Sequence, residues 1–295
     1  HWTVLVQGVD LHHEGVHALL QQFRFVPDAR LDDLMISYAS DGGGVGPHFD
    51  SYDVFLLQAY GRRRWRIGRQ KNLELQPDVP LKILTHFEPE EEYVLEPGDM
   101  LYLPPGWAHD GIAEGECMTY SIGFRSPERN EMTRELLLRL CDEDDDEDEC
   151  ATPRSHPVIY RDPKQEAVTT PGAIPAALQG FARQALQRAL DQPLALERAL
   201  GEYLTEPKAN VWFESGQAPE AGQTLVLDRR TRMMYDEKHI FINGESYRAS
   251  GRDAALMRRL ADARTLSATE WARASEAAQE LLSAWCEDGW IRAQP

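Results

Sequence analysis

Cysteine is scarce in this chain, and the chain has neither a long apolar run nor a recognisable leader. The four cysteines, Cys117, Cys141, Cys150 and Cys286, show neither the paired spacing of a zinc site nor the framework of a disulfide-rich domain. A reducing cytoplasm is therefore the expected location. No apolar stretch is long enough to span a bilayer, so no membrane association is expected. The chain begins at His1 rather than Met, and we expect an N-terminally truncated fragment, in which trimming would hide a signal sequence.

Basic residues are also few relative to acidic ones. The 295 residues include 31 Lys and Arg against 49 Asp and Glu, which gives a formal net charge of −18. This charge argues against direct binding of nucleic acid, because phosphate repulsion would have to be overcome locally. It favours encounter with a very basic protein partner. An acid-rich proteome would give the same charge, so charge alone leaves both explanations open.

Two histidines and one aspartate form the most informative pattern in the chain. His48 and Asp50 are separated by one residue, so on a β-strand both side chains point to the same face. A third ligand must then come from a neighbouring strand, and the segment around His109 suits this role. Two imidazoles and one carboxylate on one face of an ion leave adjacent positions open for a chelating co-substrate and dioxygen, as in non-haem Fe(II) oxygenases.

The segment that leads to His109 predicts the second half of a double-stranded β-helix. It is predicted to contain, in order, a strand at Val94 and Leu95, a turn at 96–99, a strand from Met100 to Leu103 and a tight Pro-Gly turn at 104–106 that presents His109. We therefore predict a mainly β fold with α-helices, built on a jelly-roll or cupin-like barrel. A cupin sugar isomerase or another cupin dioxygenase could use similar turns, but a carboxylate ligand favours 2-oxoglutarate chemistry.

At these residues the sequence resembles the bacterial Jumonji C (JmjC) ribosomal oxygenases. The matching stretches are DDLMISYASDGGGVGPHFDSYDVFLLQAYGRRRWRIG, LEPGDMLYLPPGWAHDG and MTYSIGFRSP. The match is dense from Trp2 to about Pro127 and looser beyond. The resemblance implies an Fe(II)- and 2-oxoglutarate-dependent dioxygenase that hydroxylates carbon 3 of an arginine in the sixteenth large-subunit ribosomal protein, a basic substrate. A histidyl hydroxylase of another ribosomal protein stays open as an alternative.

The same resemblance assigns residues to the site. It implies that His48, Asp50 and His109 are the catalytic metal ligands and that Arg63 and Ser37 bind the co-substrate. The family also carries additional N-terminal sequence, so part of the support of the barrel is expected to be missing here. In this family the helices that follow the barrel mediate dimerisation, and a homodimer is therefore expected.

Strand alternation supports Arg63 independently of the resemblance. Within residues 61–68 it places Arg63, Trp65 and Ile67 on one face and the other arginines on the opposite face. The apolar partners mark the inward face, where a guanidinium needs an anion such as the distal carboxylate of 2-oxoglutarate. An ion pair with a protein carboxylate is the alternative. Ser37 would donate its hydroxyl to the same co-substrate carboxylate or would satisfy the backbone.

A rival metal motif lies near the start of the chain. His13, Glu14 and His17 match the H-E-x-x-H pattern of zinc metallopeptidases, in which two histidines one helical turn apart bind zinc. Gly15 disfavours the helix that this pattern requires, and no third ligand is placed convincingly. The metallopeptidase is therefore only an alternative to the oxygenase. A non-catalytic ribosome-binding module is a further alternative.

A guanidinium substrate would need carboxylates and aromatic side chains around it. The sequence offers several candidates of these two kinds without ranking them. They are Asp32, Asp33, Asp53, Asp110, Tyr52 and Tyr60.

Changes in composition divide the chain into three predicted domains. They are residues 1–127, residues 128–205 with an acidic linker at 142–149, and residues 206–295. The resemblance implies that these are the catalytic barrel, a helical dimerisation segment and a winged-helix-like α+β domain. The helices of the second domain could also pack on their own barrel. Because the last domain has roughly balanced charge and no basic face, an accessory role is expected rather than DNA binding.

The sequence also predicts individual elements beyond the barrel. Helices are predicted at 128–141, 176–190, 194–204, 254–263 and 268–286, and strands at 224–227, 233–235 and 239–242. An Asn243-Gly244 hairpin turn is predicted after the last of these strands.

Overall fold

The computed structural model describes residues 1–142 and 158–295, with the side chains of residues 141 and 142 left aside. Of the acidic linker predicted at 142–149, residues 143–149 lie outside the described residues. The described part contains one large antiparallel sheet, a group of helices and two three-stranded sheets. No helix in this part is long and apolar enough to cross a membrane.

The large sheet forms the predicted cupin-like barrel. Its seven strands are β1 (Thr3–Val6), β2 (Leu31–Ala39), β3 (His48–Phe49), β4 (Val54–Gly68), β5 (Glu91–Leu95), β6 (Met100–Leu103) and β7 (Ala108–Phe124). They are ordered β1-β2-β7-β4-β5, with β3 beside β7 and β6 beside β4. The strand predicted from Met100 to Leu103 is confirmed, and the predicted turn before it closes through a hydrogen bond of 2.9 Å from the Asp99 N–H to the Glu96 carbonyl.

Strands β4 and β7 form the long central ribbon of the barrel. They are paired from Val54 opposite Gly123 to Gly68 opposite Ala108, and the register shifts on both sides of Tyr60. Such a shift marks a β-bulge, which re-aims the residues that follow it. At the bulge Gly61 has a φ of 64°, a left-handed conformation that favours glycine.

The bulge is followed by the arginine-rich part of β4. Arg63, Trp65 and Ile67 are buried there, with 3%, 5% and 5% of their surface exposed. The alternate arginines lie on the outer face, where Arg64 pairs with Glu92 and Glu114. The predicted inward and outward faces of this strand are therefore confirmed.

One side of the barrel is closed by helix α1 (Glu14–Gln21), which follows a short 3-10 helix at Val9–Leu11. Val16 and Leu20 of α1 pack in one buried cluster with Leu34 of β2 and Ile122 of β7. Burial of such side chains stabilises the fold by roughly 1.5–3 kcal/mol each. The α1 segment thereby fixes β2, the strand that carries several side chains of the cavity described below.

In the described part of the chain, three helices follow the barrel: α2 (Arg129–Asp142), α3 (Ala176–Leu190) and α4 (Ala195–Thr205). Their bounds lie within one residue of the prediction. Leu140 of α2 packs against Ala195 and Ala199 of α4. In contrast, α3 has no buried residue within the described part of the chain.

The C-terminal part combines two small sheets with three helices. Its elements are β8 (Thr224–Leu227), β9 (Met233–Tyr235), β10 (His239–Ile242), β11 (Glu245–Arg248), α5 (Gly251–Ala263), β12 (Thr265–Leu266), α6 (Ala268–Trp271), α7 (Glu276–Glu287) and β13 (Ile291–Gln294). A core that includes Leu260, Leu282 and Trp285 holds them together. Asn243 and Gly244 join β10 to β11 with φ of 50° and 91°, as expected for the predicted hairpin turn.

The prediction of one helix at 268–286 is wrong in one respect, because the chain forms two helices there. Ser267 and Glu270 make a capping box at the start of α6. A second start follows at Ser275, whose hydroxyl accepts a hydrogen bond from the Ala278 N–H at the start of α7. Two N-cap serines within nine positions therefore interrupt an apolar pattern that would suit one long helix.

Replacing Gly61 by alanine is expected to destabilise the barrel more than the same change at Gly115. Both glycines have positive φ, which costs alanine about 1–2 kcal/mol. At Gly61 an added Cβ would also lie 2.1 Å from the Glu116 carbonyl oxygen, whereas no atom of residues 1–142 or 158–295 lies within 4 Å of one at Gly115. We expect an extra loss of about 1–3 kcal/mol in the free energy of unfolding from this overlap, measured by urea titration. Equal losses for the two variants would contradict this packing.

Candidate functional site

The structure brings His48, Asp50 and His109 together in the lining of one cavity. His48 in β3 is the direct cross-strand partner of His109 in β7. Asp50 was predicted to share the strand of His48, but β3 ends at Phe49 and Asp50 follows it immediately. One ligand atom from each side chain lies within 4.8 Å of the other two. His109 Nε2 and the nearer Asp50 oxygen are 3.7 Å apart. A single ion of transition-metal size fits between three such atoms.

Hydrogen bonds to the backbone orient both imidazoles. Nδ1 of His48 lies 2.8 Å from the Gly46 carbonyl, and Nδ1 of His109 lies 3.0 Å from the Trp107 carbonyl. When Nδ1–H donates to these carbonyls, the lone pair of Nε2 is left for a metal. Burial, followed by the neighbouring His48, lowers the pKa of His109, which favours the neutral ring that metal binding requires.

The turn predicted at 104–106 lies immediately before β7, and the Trp107 N–H donates to the Pro104 carbonyl at 3.3 Å. It leads to His109, the second residue of β7, which the strand ladder holds opposite His48. The turn also supports Asp50, because the Gly106 N–H donates to the Asp50 carbonyl at 2.8 Å. Gly106 has a φ of 80°, so glycine suits this close turn.

Arg63 lines the same cavity, which has a volume of about 280 Å³ and is also lined by all three residues of the His-Asp-His group. Its Nη1 donates to the Ser37 hydroxyl at 3.1 Å and its Nη2 to the Gly111 carbonyl at 3.1 Å. No carboxylate within the described residues forms an ion pair with Arg63, so the alternative of an internal ion pair finds no support. Burial lowers the pKa of this guanidinium, because a charge without a partner is poorly solvated there.

Two buried nitrogen atoms beside this cavity have no hydrogen-bond partner within the described chain: Arg63 Nε and Trp65 Nε1. The Arg63 guanidinium carbon lies 5.0 Å from the centre of the Trp65 ring, whose centre is 5.9 Å from that of the His109 ring. Unsatisfied buried donors are costly and indicate a missing acceptor. A dicarboxylate that reaches from the metal group to Arg63 fits this set of donors.

Three residues that support Arg63 were missed from the sequence. The Thr119 hydroxyl lies 3.5 Å from Arg63 Nη1 and donates to the Gln58 side chain at 2.9 Å. The Gln58 amide in turn donates to the Tyr60 and Gly61 carbonyls, so it fixes the bulge of β4. At Gly111 an added Cβ would lie 2.7 Å from Arg63 Nε. Alternation along β7 could have marked Thr119 as inward, but the pairing partners of these residues depend on long-range register.

The six candidates for substrate binding separate clearly in the structure. Asp32, Asp33 and Tyr52 line the cavity, together with Lys208, which was not predicted. Asp53 pairs with Arg30, Asp110 pairs with Arg66, and Tyr60 is 55% exposed outside the cavity. Burial and then the charge of Asp50 raise the pKa of Tyr52, so its hydroxyl stays protonated.

The H-E-x-x-H motif does not form a metal site in the structure. His13 is the N-cap of α1, and its Nδ1 accepts a hydrogen bond from the Val16 N–H at 3.3 Å. Burial and the nearby Arg264 and Arg229 lower the pKa of His17 to about 4. Within residues 1–142 and 158–295, His48, Asp50 and His109 are the one group of three metal-ligating side chains that lie close enough to share an ion.

Two family profiles match most of the described chain. A JmjC domain matches residues 18–132, and a ROXA-like winged helix matches residues 187–292. An AraC-like ligand binding domain also matches residues 84–200. The predicted domain boundaries at 127 and 205 stay predictions, because the matches do not set them.

The chain is also similar to individual proteins of Escherichia coli. The "Ribosomal protein uL16 3-hydroxylase" of strain K12 is 34% identical over 266 residues, which cover 86% of this chain and 68% of that protein. The X-ray structure of E. coli ycfD superposes with a TM-score of 0.83 and 29% identity over 99% of this chain and 79% of that one. Its complex with cobalt and 2-oxoglutarate gives a TM-score of 0.80 and 30% identity, over 99% of this chain and 78% of that one.

Replacing His48 by alanine is expected to weaken binding of Fe(II) by more than about a hundredfold, since loss of an outer partner of a metal ligand already costs 10–100-fold. Anaerobic titration calorimetry measures the affinity, with Co(II) as a second probe. His17→Ala is the matched control and should bind metal as the unmodified chain does. The opposite order, with His17 essential and His48 dispensable, would favour the H-E-x-x-H site.

Proposed function

Because this chain belongs to the JmjC-domain ribosomal oxygenases, we propose that it hydroxylates carbon 3, the β-carbon, of an arginine in the ribosomal protein uL16. The family resemblance noted in the sequence is thus confirmed. The chain is a 2-oxoglutarate-dependent dioxygenase that acts on a ribosomal protein, with iron as its metal. The choice of arginine as the target is our proposal.

One observation carries the proposal for the site. A cavity of about 280 Å³ is lined both by a His-Asp-His group and by a buried guanidinium that has no ion-pair partner in the described chain. We infer that His48, Asp50 and His109 hold the iron through two Nε2 atoms and one carboxylate. When bound there, iron supplies the activation of dioxygen that couples conversion of 2-oxoglutarate to succinate and carbon dioxide with hydroxylation of a C–H bond.

Arg63 and Ser37 are proposed to bind the distal carboxylate of 2-oxoglutarate. The guanidinium offers paired N–H donors, and a bidentate bond with a carboxylate is among the stronger polar contacts in proteins. Ser37 is 5% exposed, and its hydroxyl accepts from Arg63 Nη1 at 3.1 Å and donates weakly to the Thr119 carbonyl at 3.4 Å, so the structure also shows the backbone contact considered for this serine. We infer that the hydroxyl turns from this carbonyl to the carboxylate when 2-oxoglutarate binds. The Trp65 ring lies next to both Arg63 and His109, and we infer that it limits access of water to the co-substrate.

Two carboxylates of the cavity, which Lys208 bridges in the structure, favour arginine over histidine as the target. Asp32 and Asp33 both line the cavity that holds the metal group. A guanidinium is always charged and binds carboxylates through two donors, whereas an imidazole is largely neutral at pH 7. Two acidic side chains at this place therefore suit arginine, although the histidyl alternative is kept as an outcome of the substrate experiment.

Several properties of the whole protein remain proposals. A homodimer through α3 is supported by its exposed apolar residues Leu178, Leu186 and Leu190, and light scattering would test it. The net charge of −18 supports a basic protein substrate and no direct contact with nucleic acid. The cytoplasm is the proposed location, because ribosomal proteins are synthesised there.

Replacing Arg63 by glutamine is expected to raise the KM for 2-oxoglutarate about 10- to 100-fold, because a hydrogen bond to a charged group contributes about 1.5–3 kcal/mol. Arg64→Gln is the matched control on the outer face of the same strand and should leave this KM unchanged. Steady-state formation of succinate measures both variants. Equal effects of the two substitutions would contradict the assignment of Arg63.

A peptide from the arginine-containing region of uL16 is expected to gain the mass of one oxygen when it is incubated with the chain, Fe(II), 2-oxoglutarate and dioxygen. Succinate should form in equal amount, and fragmentation should place the oxygen on arginine carbon 3. The same peptide with histidine in place of arginine should stay unmodified. Oxygen on the histidine peptide instead would favour the histidyl alternative, and succinate without any modified peptide would place the substrate elsewhere.

A further inference from the structure

Lys208 brings a positive charge from the C-terminal side of the chain into the catalytic cavity. It lies three residues beyond the end of α4 and lines the same cavity as His48 and Asp50. Its Nζ lies 3.1 Å from Asp32 Oδ1 and 3.2 Å from Asp33 Oδ2. One ammonium therefore bridges the two carboxylates that a cationic substrate would find at this place.

A local irregularity makes this bridge possible. Adjacent residues of a regular strand point to opposite faces, so Asp32 and Asp33 would not normally reach one cation. The pairing of β2 with β7 shifts register between Leu31 and Asp33. Such a shift re-aims side chains, and here both carboxylates contact Lys208.

Asp32 and Asp33 differ in the ion-pair partners that they keep when Lys208 is displaced. Asp32 also pairs with Arg125 at 3.4 Å. For Asp33, Lys208 supplies the one ion pair found within the described residues. If the ammonium leaves, Asp32 keeps a partner and Asp33, whose side chain is 18% exposed, becomes available to another cation.

We propose that Lys208 is an internal competitor that occupies Asp33 until the cationic side chain of the substrate displaces it. Lys208 thereby sets how strongly the cavity selects positively charged side chains over neutral ones. The identity of the incoming cation as a substrate arginine rests on the proposed function. The competition itself depends on the contacts of Lys208 alone.

The surroundings of Lys208 allow a substrate cation to displace its ammonium from Asp33. Lys208 lies in a stretch without helix or strand, its side chain is 32% exposed, and its long flexible stem lets the ammonium turn towards water. A guanidinium makes two parallel hydrogen bonds to a carboxylate, which an ammonium cannot match. Burial opposes the charge of Lys208, but Asp33 and Asp32 outweigh it and raise the pKa of the ammonium, so the competitor stays charged.

The test compares binding of a short peptide with one arginine and of the same peptide with citrulline, which has nearly the same shape but no charge. Calorimetry measures both affinities for the chain loaded with Mn(II) and 2-oxoglutarate under anaerobic conditions. Lys208→Met should bind the arginine peptide about two- to fivefold more tightly, as expected from loss of a partly exposed ion pair. Its affinity for the citrulline peptide should not change.

Two further variants serve as controls. Lys238→Met removes a charge from the exposed turn between β9 and β10, so it changes the net charge equally and should leave both affinities unchanged. Lys208→Arg keeps a cation with a bidentate fork at the carboxylates and should weaken arginine-peptide binding or leave it as it is. Circular dichroism verifies that each variant is folded.

Weaker or unchanged binding of the arginine peptide to Lys208→Met would overturn the proposal, since Lys208 would then position Asp33 or be a bystander. Equally tighter binding of both peptides would also overturn it, because that result indicates added space rather than loss of a competing charge. Failure of the proposed function is recognised separately. In that case no uL16 peptide gains oxygen, while the affinities of the arginine and citrulline peptides still decide whether Lys208 competes.

Discussion

A buried guanidinium that has no carboxylate partner among the described residues is the constraint around which this site is organised. Burying an unpaired charge costs on the order of several kcal/mol, so Arg63 requires an anion that the described chain does not supply. Ser37, Thr119 and the Gly111 carbonyl hold the guanidinium in place but do not neutralise it. The His-Asp-His group lies in the same cavity. A co-substrate with two acidic ends can bind the metal with one end and neutralise Arg63 with the other.

The barrel positions these groups by pairing strands that are distant in sequence. His48 and His109 are direct partners across β3 and β7, which fixes two ligands without help from a loop. The bulge in β4, held by Gln58, aims Arg63 into the cavity. Gly111 of β7 has no side chain, and this leaves room for the guanidinium of Arg63 from β4.

Much of this arrangement could be predicted from the sequence. The spacing of His48 and Asp50, the turns before His109 and the alternation around Arg63 are local patterns, and local patterns follow from backbone geometry. Thr119, Gly111 and Lys208 were missed because their roles depend on register and on contacts between distant segments. The Ser275 cap was missed for another reason: an unbroken apolar pattern outweighed a capping signal in the prediction.

The segment after α4 contributes to the catalytic cavity through Lys208, and it contacts the barrel elsewhere through Arg232, which donates to the Leu31 carbonyl at 2.9 Å.

The central claim is that one cavity joins a metal held by three side chains to an anion held by Arg63. An anaerobic crystal structure with Co(II) and 2-oxoglutarate tests it most directly. The account predicts cobalt about 2.1 Å from His48 Nε2 and His109 Nε2, within bonding distance of Asp50, and the distal carboxylate on Arg63. Cobalt bound elsewhere, or a co-substrate that leaves Arg63 without an anion, would contradict it.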